Sequence, residues 1–457
     1  VFQPYPLEPR KVPLVETEYR SIRTPIPVPE SLPILERLRT VEPLSMSGQP
    51  LVVWERAEGV NVYDRWGNRW LDFSSGVLVT NAGHGRREII QAIVSQAQQG
   101  LLHNYCFPSA IRARLASRLA ALAPEKLKKV FLLTTGSEAV ECTIKLARTA
   151  GRRMNPDKAV IVSFEGAFHG RTLGAQLAGG IPSLKQWIGH LDPTFVQVPF
   201  PDGFRCRRSD FGFFLNCLEK AEVKPQNIAA VLTETYQGAG ASFAPVEYMQ
   251  ALRQFCDQYQ IVLICDEVQA GFGRTGRWFA FEHYDIIPDL VALGKGITSS
   301  LPLSAVLGRA DLMDLYPPGS MTSTHTGNPL CCAAALANLD IMEQENLAAR
   351  AARLGEVLHR QLARLKEKFF SSLAAVHGQG LVAGLHICRP DGETPDSALA
   401  FDMVRRAVEK GLLFFSPVGP GPATIKVAPP LIISQEALEE GVAVIDEAMS
   451  EALSGER

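Results

Sequence analysis

The sequence predicts an α/β protein: a large domain with a mostly parallel seven-stranded sheet, plus a smaller α+β domain. Two observations lead there. Seven short runs of β-branched or aliphatic residues recur at 130–134, 159–164, 195–198, 228–233, 261–265, 289–293 and 303–307. Between several of them lie segments of helical period, such as 137–153 and 246–259. Near-continuous apolar strands alternating with helices indicate a sheet covered on both faces.

The elements follow in order. Residues 1–50 hold ten of the 31 prolines, so this arm is extended, with one short helix near 30–39. Leu32, Ile34, Leu35 and Leu38 give that helix an apolar face that wants a partner, which favours a packed arm over a loose tail. Strand-like runs at 59–63 and 69–73 flank DRWGN and read as a hairpin. After Asn328 a long helical stretch, broken within, runs to about Ser372, and strands (LVAGLHI, ATIKV) mixed with helices close the chain. The expected division is 1–79 as arm and hairpin belonging to the small domain, 80–335 as the large domain and 336–457 as the C-terminal small domain.

Composition excludes more than it names. Lys and Arg number 46 against 48 Asp and Glu, a net charge of −2, which gives no bulk pull towards nucleic acid or an anionic membrane. No apolar run approaches the ~18 residues of a membrane span. The first residues, VFQPYPLEPRKVPLV, lack the apolar stretch of a secretory signal. The nine cysteines form no CxxC and no metal-like pairing with His, so no metal site and a reducing cytoplasm are expected.

Four segments carry chemistry. In VALGKG, Lys295 stands between two glycines directly after a buried strand, where burial disfavours its ammonium. A phosphate-loop reading fails, because Asp289 and Gly296 stand where that loop needs Gly and Ser or Thr. A Schiff-base lysine remains, against the plain alternative of a lysine turned out to solvent. Asp266 ends the apolar run IVLIC and must find a cation or donors; Glu267 reads as the cap of the next helix. Asp266 precedes Lys295 by 29 residues, about one strand-helix-strand unit, so both belong at the carboxyl edge of one sheet. Pyridoxal phosphate needs this pairing: a lysine imine, and a carboxylate keeping the pyridine nitrogen protonated. Gly136 and Ser137 open a helix after another strand and suit a phosphate, although Ser137 also suits a plain N-cap. Phe168, in AFHGR, offers a cover for a flat ring or a side chain for an unrelated core.

Taken together, LDFSSGVLVTNAGHG at 71–85, TTGSEAVE at 134–141, FHGRT at 168–172, DEVQAGFGRTG at 266–276, LGKG at 293–296, STHTGNPL at 323–330 and APPLII at 428–433 resemble the class III aminotransferases. This is the pyridoxal-phosphate family of 4-aminobutyrate and ornithine aminotransferases, and the resemblance runs from about Glu58 to Ala437. It implies a fold type I transferase with pyridoxal 5'-phosphate as cofactor. It implies that Lys295 holds the cofactor and shuttles a proton between Cα and C4′, and that Asp266 pairs with the pyridine nitrogen. Val268 and Phe168 would sandwich the ring, Gln269 would approach its phenolic oxygen, and Gly136 and Ser137 would hold the phosphate. His169 and Glu234 would lie beside the cofactor. Thr324 would complete the phosphate site of a neighbouring subunit, which implies a homodimer or a dimer of dimers. Val77, Arg171 and Lys426 would face the substrate.

The chain also departs from the family. A Glu–Arg pair that many members open and close is here Ala239 and Lys426, and His325 stands where Phe or Tyr is usual. Losing both partners of the pair together avoids an uncompensated buried charge. With Val77, Leu78 and Phe107 lining a mostly apolar pocket, the expected donors are amines or ω-amino compounds whose reacting carbon bears no carboxylate. The expected reaction is transfer of an amino group from an amine or amino acid to an oxo acid, by a ping-pong mechanism. A racemase, epimerase or decarboxylase on the same cofactor is the alternative, since it would use the same residues. A non-catalytic binding protein is disfavoured, because Lys295 and Asp266 are both present.

Overall fold

A computed structural model describes residues 5–455; the expected arm's first four residues and the last two of the C-terminal domain lie outside them. The chain forms two compact units, one of residues 87–349 and one of residues 1–86 with 350–457. Among the described residues no helix is long and apolar enough to cross a membrane.

In the larger unit each of the seven apolar runs becomes a strand: β1 Lys129–Leu133, β2 Val160–Phe164, β3 Phe195–Val198, β4 Ile228–Glu234, β5 Val262–Asp266, β6 Leu290–Leu293 and β7 Ser304–Gly308. The order across the sheet is β1-β7-β6-β5-β4-β2-β3. The strands from β6 to β3 pair in parallel, and β7 runs antiparallel to both β6 and β1. The reason lies in the connection. Only the residues between Leu293 and Ser304 join β6 to β7, too few for the helical crossover that a parallel neighbour requires. The helix Gly136–Met154 covers one face, burying Ala139, Val140, Ile144 and Ala147 in a cluster with Ala230, Ile264 and Ala292.

The smaller unit holds two sheets. In the first, Asn61–Tyr63 and Arg69–Asp72 form the expected hairpin, with Val62 opposite Trp70, and Leu412–Leu413 adds in parallel to Arg69–Asp72. The second is antiparallel, in the order Leu373–Gln379, Val382–Ile387, Thr424–Val427. The arm's helix spans Leu32–Val41, but of its four apolar residues only Leu35 is buried, and Ile34 and Leu38 are exposed. The arm is anchored instead through Tyr5, Ile22, Ile26 and Val28, whose side chains are buried.

The long helical stretch is two helices, Pro329–Gln344 and Leu347–Lys368, broken where Asn346 turns left-handed at φ +49°. The units divide at 86/87 and 349/350, whereas the sequence reading divides the chain at 79/80 and 335/336. The difference follows from packing, since Pro329–Gln344 lies against the helices Arg87–Gln98 and Ala110–Leu122 of the larger unit.

One buried carboxylate ties the central strands together. Asp289 accepts from Arg253 (2.9 Å), from the Leu263 amide of β5 (2.9 Å) and from Arg309 (2.9 Å), and it is nearly inaccessible. Burial alone would raise its pKa; the Arg253 charge, the Leu263 amide and Arg309 outweigh that and hold it below the usual value. A depressed carboxyl stabilises the fold above the unfolded pKa of about 3.9 and loses that contribution as pH falls through the lower folded value. Asp289→Ala, which leaves Arg253 without its buried partner, is expected to cost about 3 kcal/mol. Denaturant unfolding at pH 7 should show this, and the gap between variant and wild type should narrow below about pH 4.

Candidate active site

The register of the sheet brings the chemistry to one edge. Asp266, the last residue of β5, lies opposite Glu234 of β4 and Ala292 of β6. Lys295 follows two residues after β6 ends, and β1 ends at Leu133, just ahead of Gly136 and Ser137. Because β7 is reversed, its first residue Ser304 pairs with Leu133 at this same edge, and its hydroxyl donates to the Thr135 carbonyl (2.7 Å).

Asp266 is held from two sides. Its Oδ2 lies 2.8 Å from Nδ1 of His169, and its Oδ1 accepts the Val268 amide at 3.0 Å. Both side chains are buried, and Nε2 of His169 has no hydrogen-bond partner among the described residues. Glu234 accepts the Phe168 amide (3.1 Å) on one oxygen and the Gly238 amide (2.9 Å) on the other. Burial pushes its carboxyl up to about 7, against the opposing pull of His169. Glu267 caps the next helical turn, as the sequence suggests, accepting the Ala280 and Phe281 amides at 2.9 and 2.8 Å. Burial raises its carboxyl to about 7 as well.

Lys295 sits at φ +43°, in the left-handed region where an L side chain is strained. Burial lowers the pKa of its amine, and the charges of Asp266 and Glu234 offset part of that shift. Around it the backbone is tight. A Cβ on Gly136 would lie 2.8 Å from a Val268 methyl, and one on Gly294 would lie 3.2 Å from the same side chain. Val268 thus rests on Gly136, where a Cβ would force it to shift, and close against Gly294.

The Gly136–Met154 helix is capped by Thr135, not by Ser137. Thr135 accepts the Glu138 amide at 3.3 Å, while Glu138 accepts the Thr134 and Thr135 amides at 2.9 and 2.8 Å. The box uses those three amides, so the Gly136 and Ser137 amides stay outside it at the positive end of the helix. The Ser137 hydroxyl, relieved of capping, accepts the Arg171 amide at 3.2 Å. The Arg171 guanidinium lies 5.6 Å from the centre of the Phe168 ring, and Gln269 packs against Gly238.

Gly136, Ser137, Phe168, His169, Glu234, Asp266, Val268, Gln269 and Lys295 therefore surround one sheet edge. Arg171 adjoins them and is exposed. Thr324 is exposed on the 309–328 connection, which Thr326 ties to β1 through the Leu132 carbonyl (2.7 Å). Val77 and Lys426 belong to the smaller unit. Val77 lies in a left-handed run, with Ser75, Val77 and Leu78 at φ +49°, +64° and +61°. Asp72 supports that run through Ser74 and holds His84 at 2.7 Å. Lys426 lies in the strand Thr424–Val427 opposite Gly384 and is 1% exposed.

The sequence reading missed Gly238 and Ser304. The signal for Gly238 was present in QGAG, four residues after a strand-ending acid; Ser304 becomes visible only once β7 is known to be reversed.

This donor set fits pyridoxal phosphate. It offers an amine whose charge burial opposes, a carboxylate oriented by a histidine, an apolar side chain on a glycine floor, and a helix N-terminus for an anion. Comparison with known proteins agrees. The sequence profile of the family described as aminotransferase class-III matches residues 45–449. A probable 4-aminobutyrate aminotransferase of Bacillus subtilis is 34% identical over 407 residues, covering 86% of this chain and 91% of the relative. An alanine/serine racemase of Pyrococcus horikoshii is 32% identical, covering 99% and 98%. A solved amine transaminase from an uncultivated Pseudomonas species, in its pyridoxal-phosphate-bound form, superposes with a TM-score of 0.82 at 29% identity, covering 90% and 97%. The chain belongs to the class III aminotransferases, with pyridoxal 5'-phosphate as cofactor and an amino group moved between small-molecule amines and oxo acids as its reaction.

Proposed function

We propose that Lys295 is the residue that holds the cofactor and moves the proton, and that the donors are amines or ω-amino compounds rather than α-amino acids. One observation carries the first part: a strained, glycine-flanked lysine lies at the same sheet edge as Asp266, with its ammonium disfavoured by burial. Bound pyridoxal phosphate supplies an electron-accepting ring that stabilises negative charge on the carbon bearing the amino group. Lys295 Nζ, whose ammonium burial disfavours, would take the proton from that carbon and deliver it to C4′ of the cofactor. Asp266 holds a proton on the ring nitrogen, and His169 fixes the carboxylate's orientation. Gly136 and Ser137 would bind the phosphate, Val268 and Phe168 would pack against the ring, and Gln269 would serve its phenolic oxygen. Glu234 fixes the Phe168 and Gly238 segments through their amides.

The substrate part rests on Ala239 and Lys426. Ala239 offers no charge, and a lysine holds a carboxylate as a point charge rather than through a two-pronged fork. Arg171, exposed beside Phe168, is the other cation in this reading, for the carboxylate of an ω-amino acid or oxo acid. The assembly is a homodimer or a dimer of dimers in which Thr324 completes the partner's phosphate site. Supporting this, Leu101, Leu102 and Phe107 are exposed near Thr324's connection, tied to it by Asn328 donating to the Leu102 carbonyl (2.9 Å). A reducing cytoplasm belongs to the same reading, supported by nine cysteines that are all free thiols.

Borohydride reduction of the loaded enzyme should place the mass label on the Lys295 peptide, and Lys295→Ala should lose turnover by orders of magnitude. A label on another lysine would refute the assignment. An amine donor supplied without oxo acid should give about one carbonyl product per site and then stop, whereas a racemase outcome would carry a chiral amino acid to the racemic mixture over many turnovers per site.

Mixing Lys295→Ala with Thr324→Ala subunits should restore activity, since a hybrid dimer contains one site with both native residues. An active monomer in sedimentation would exclude the shared site.

For substrates, kcat/KM should favour plain amines and ω-amino compounds over α-amino acids, and Lys426→Met should change that ranking little. Strong α-amino acid activity that collapses in Lys426→Met would show instead that this lysine does the work of the missing arginine.

A further inference from the structure

Asn338 lies on the helix Pro329–Gln344 and is completely buried. Its neighbours on the buried faces of that helix, among them Ala334, Ala335, Leu339 and Met342, are apolar. Nothing in the helix itself calls for an amide at this position, since asparagine is a weak helix former whose polar group must be desolvated here. Its Nδ2 donates to the Gly296 carbonyl at 2.9 Å and to the Ile297 carbonyl at 3.1 Å. Its third neighbour is the Met342 sulfur at 3.7 Å, and its Oδ1 has no partner among the described residues. An amide left half-satisfied in an apolar interior is a cost that a leucine would not carry. Its return is the pair of bonds to one turn.

That turn is Lys295–Ile297, held by its own backbone through the Ile297 amide on the Gly294 carbonyl (3.1 Å). It carries Lys295 at φ +43°, with a glycine on either side that adds no steric restraint. A strained residue between two permissive ones keeps its conformation only if its surroundings impose it. The two carbonyls that follow Lys295 are directed by a side chain from a helix more than thirty residues later in the chain.

We infer that Asn338 is a positioning residue, whose amide fixes the Lys295 turn and thereby the direction of Lys295 Nζ towards the reacting carbon. The inference rests on the reading of Lys295 as the cofactor-holding, proton-moving residue. Asn338 itself is fully buried and acts through the backbone of that turn.

Two variants test it. Asn338→Leu suits the apolar helix face but cannot donate, and Asn338→Ala also cannot donate but leaves a cavity. Both are loaded with cofactor, assayed with an amine donor, reduced with borohydride for peptide mapping, and melted with and without cofactor. The expected result is a kcat lower by about ten- to hundredfold in both, the loss that a small misplacement of a reacting group produces. KM should stay within about twofold, because the groups that bind substrate are untouched. The melting temperatures of the two variants should differ from each other while their kcat losses agree, since one packs well and the other leaves a cavity. Wild-type kcat in either folded variant overturns the inference, as does a kcat that falls in step with melting temperature across the pair. A label on a lysine other than Lys295 would overturn the reading beneath it, which keeps the two failures distinct.

Discussion

The site depends on keeping a lysine amine and a carboxylate at the buried end of a parallel sheet. Neither belongs there by itself: burial lowers the Lys295 pKa and raises that of Glu234. Side by side, the groups offset part of each other's cost, with the Asp266 and Glu234 charges acting on Lys295 and His169 acting on Glu234. The result is an amine with a reduced hold on its proton, next to a carboxylate that His169 and the Val268 amide fix in place.

Such an arrangement demands a stiff frame, since an error of one ångström in the position of a reacting group is expensive. The frame is layered outwards from the sheet edge. Asp289 joins the start of β6 to β5 and to two arginines, which sets the register that places Asp266 against Ala292. Glu267, directly after Asp266, holds the Ala280–Phe281 turn through two amides, so consecutive acids serve separate purposes. Gly136 lets Val268 approach the backbone more closely than a Cβ there would allow, and Gly294 leaves it room on the lysine's side. Left-handed backbone at non-glycine residues comes in short segments, among them the Lys295 turn in one unit and the Ser75–Leu78 run in the other. These two are bounded by hydrogen bonds that make the unusual backbone the available one.

The sequence by itself determined the list of parts. Seven apolar runs became seven strands because a strand covered on both faces has no polar side to hide its pattern. The hairpin, the broken helix after Asn328, and the placing of Lys295, Asp266 and Gly136–Ser137 just after apolar strands were legible for a related reason: each depends on residue types within a few positions along the chain. Tertiary structure decided what depends on neighbours distant in sequence. The short 293–304 connection favours the reversal of β7, but only its pairing with β1 brings Ser304 to the Thr135 carbonyl. Thr135 rather than Ser137 caps the helix because Glu138 closes a reciprocal box, leaving Ser137 for the Arg171 amide. The arm's helix buries Leu35 alone, although its sequence offers four apolar residues, because amphipathicity states which face wants a partner and not whether one arrives. Asn338 is the sharpest case. In sequence it is one polar residue in an apolar helix, and only the packing of that helix against the Lys295 turn shows which carbonyls it serves.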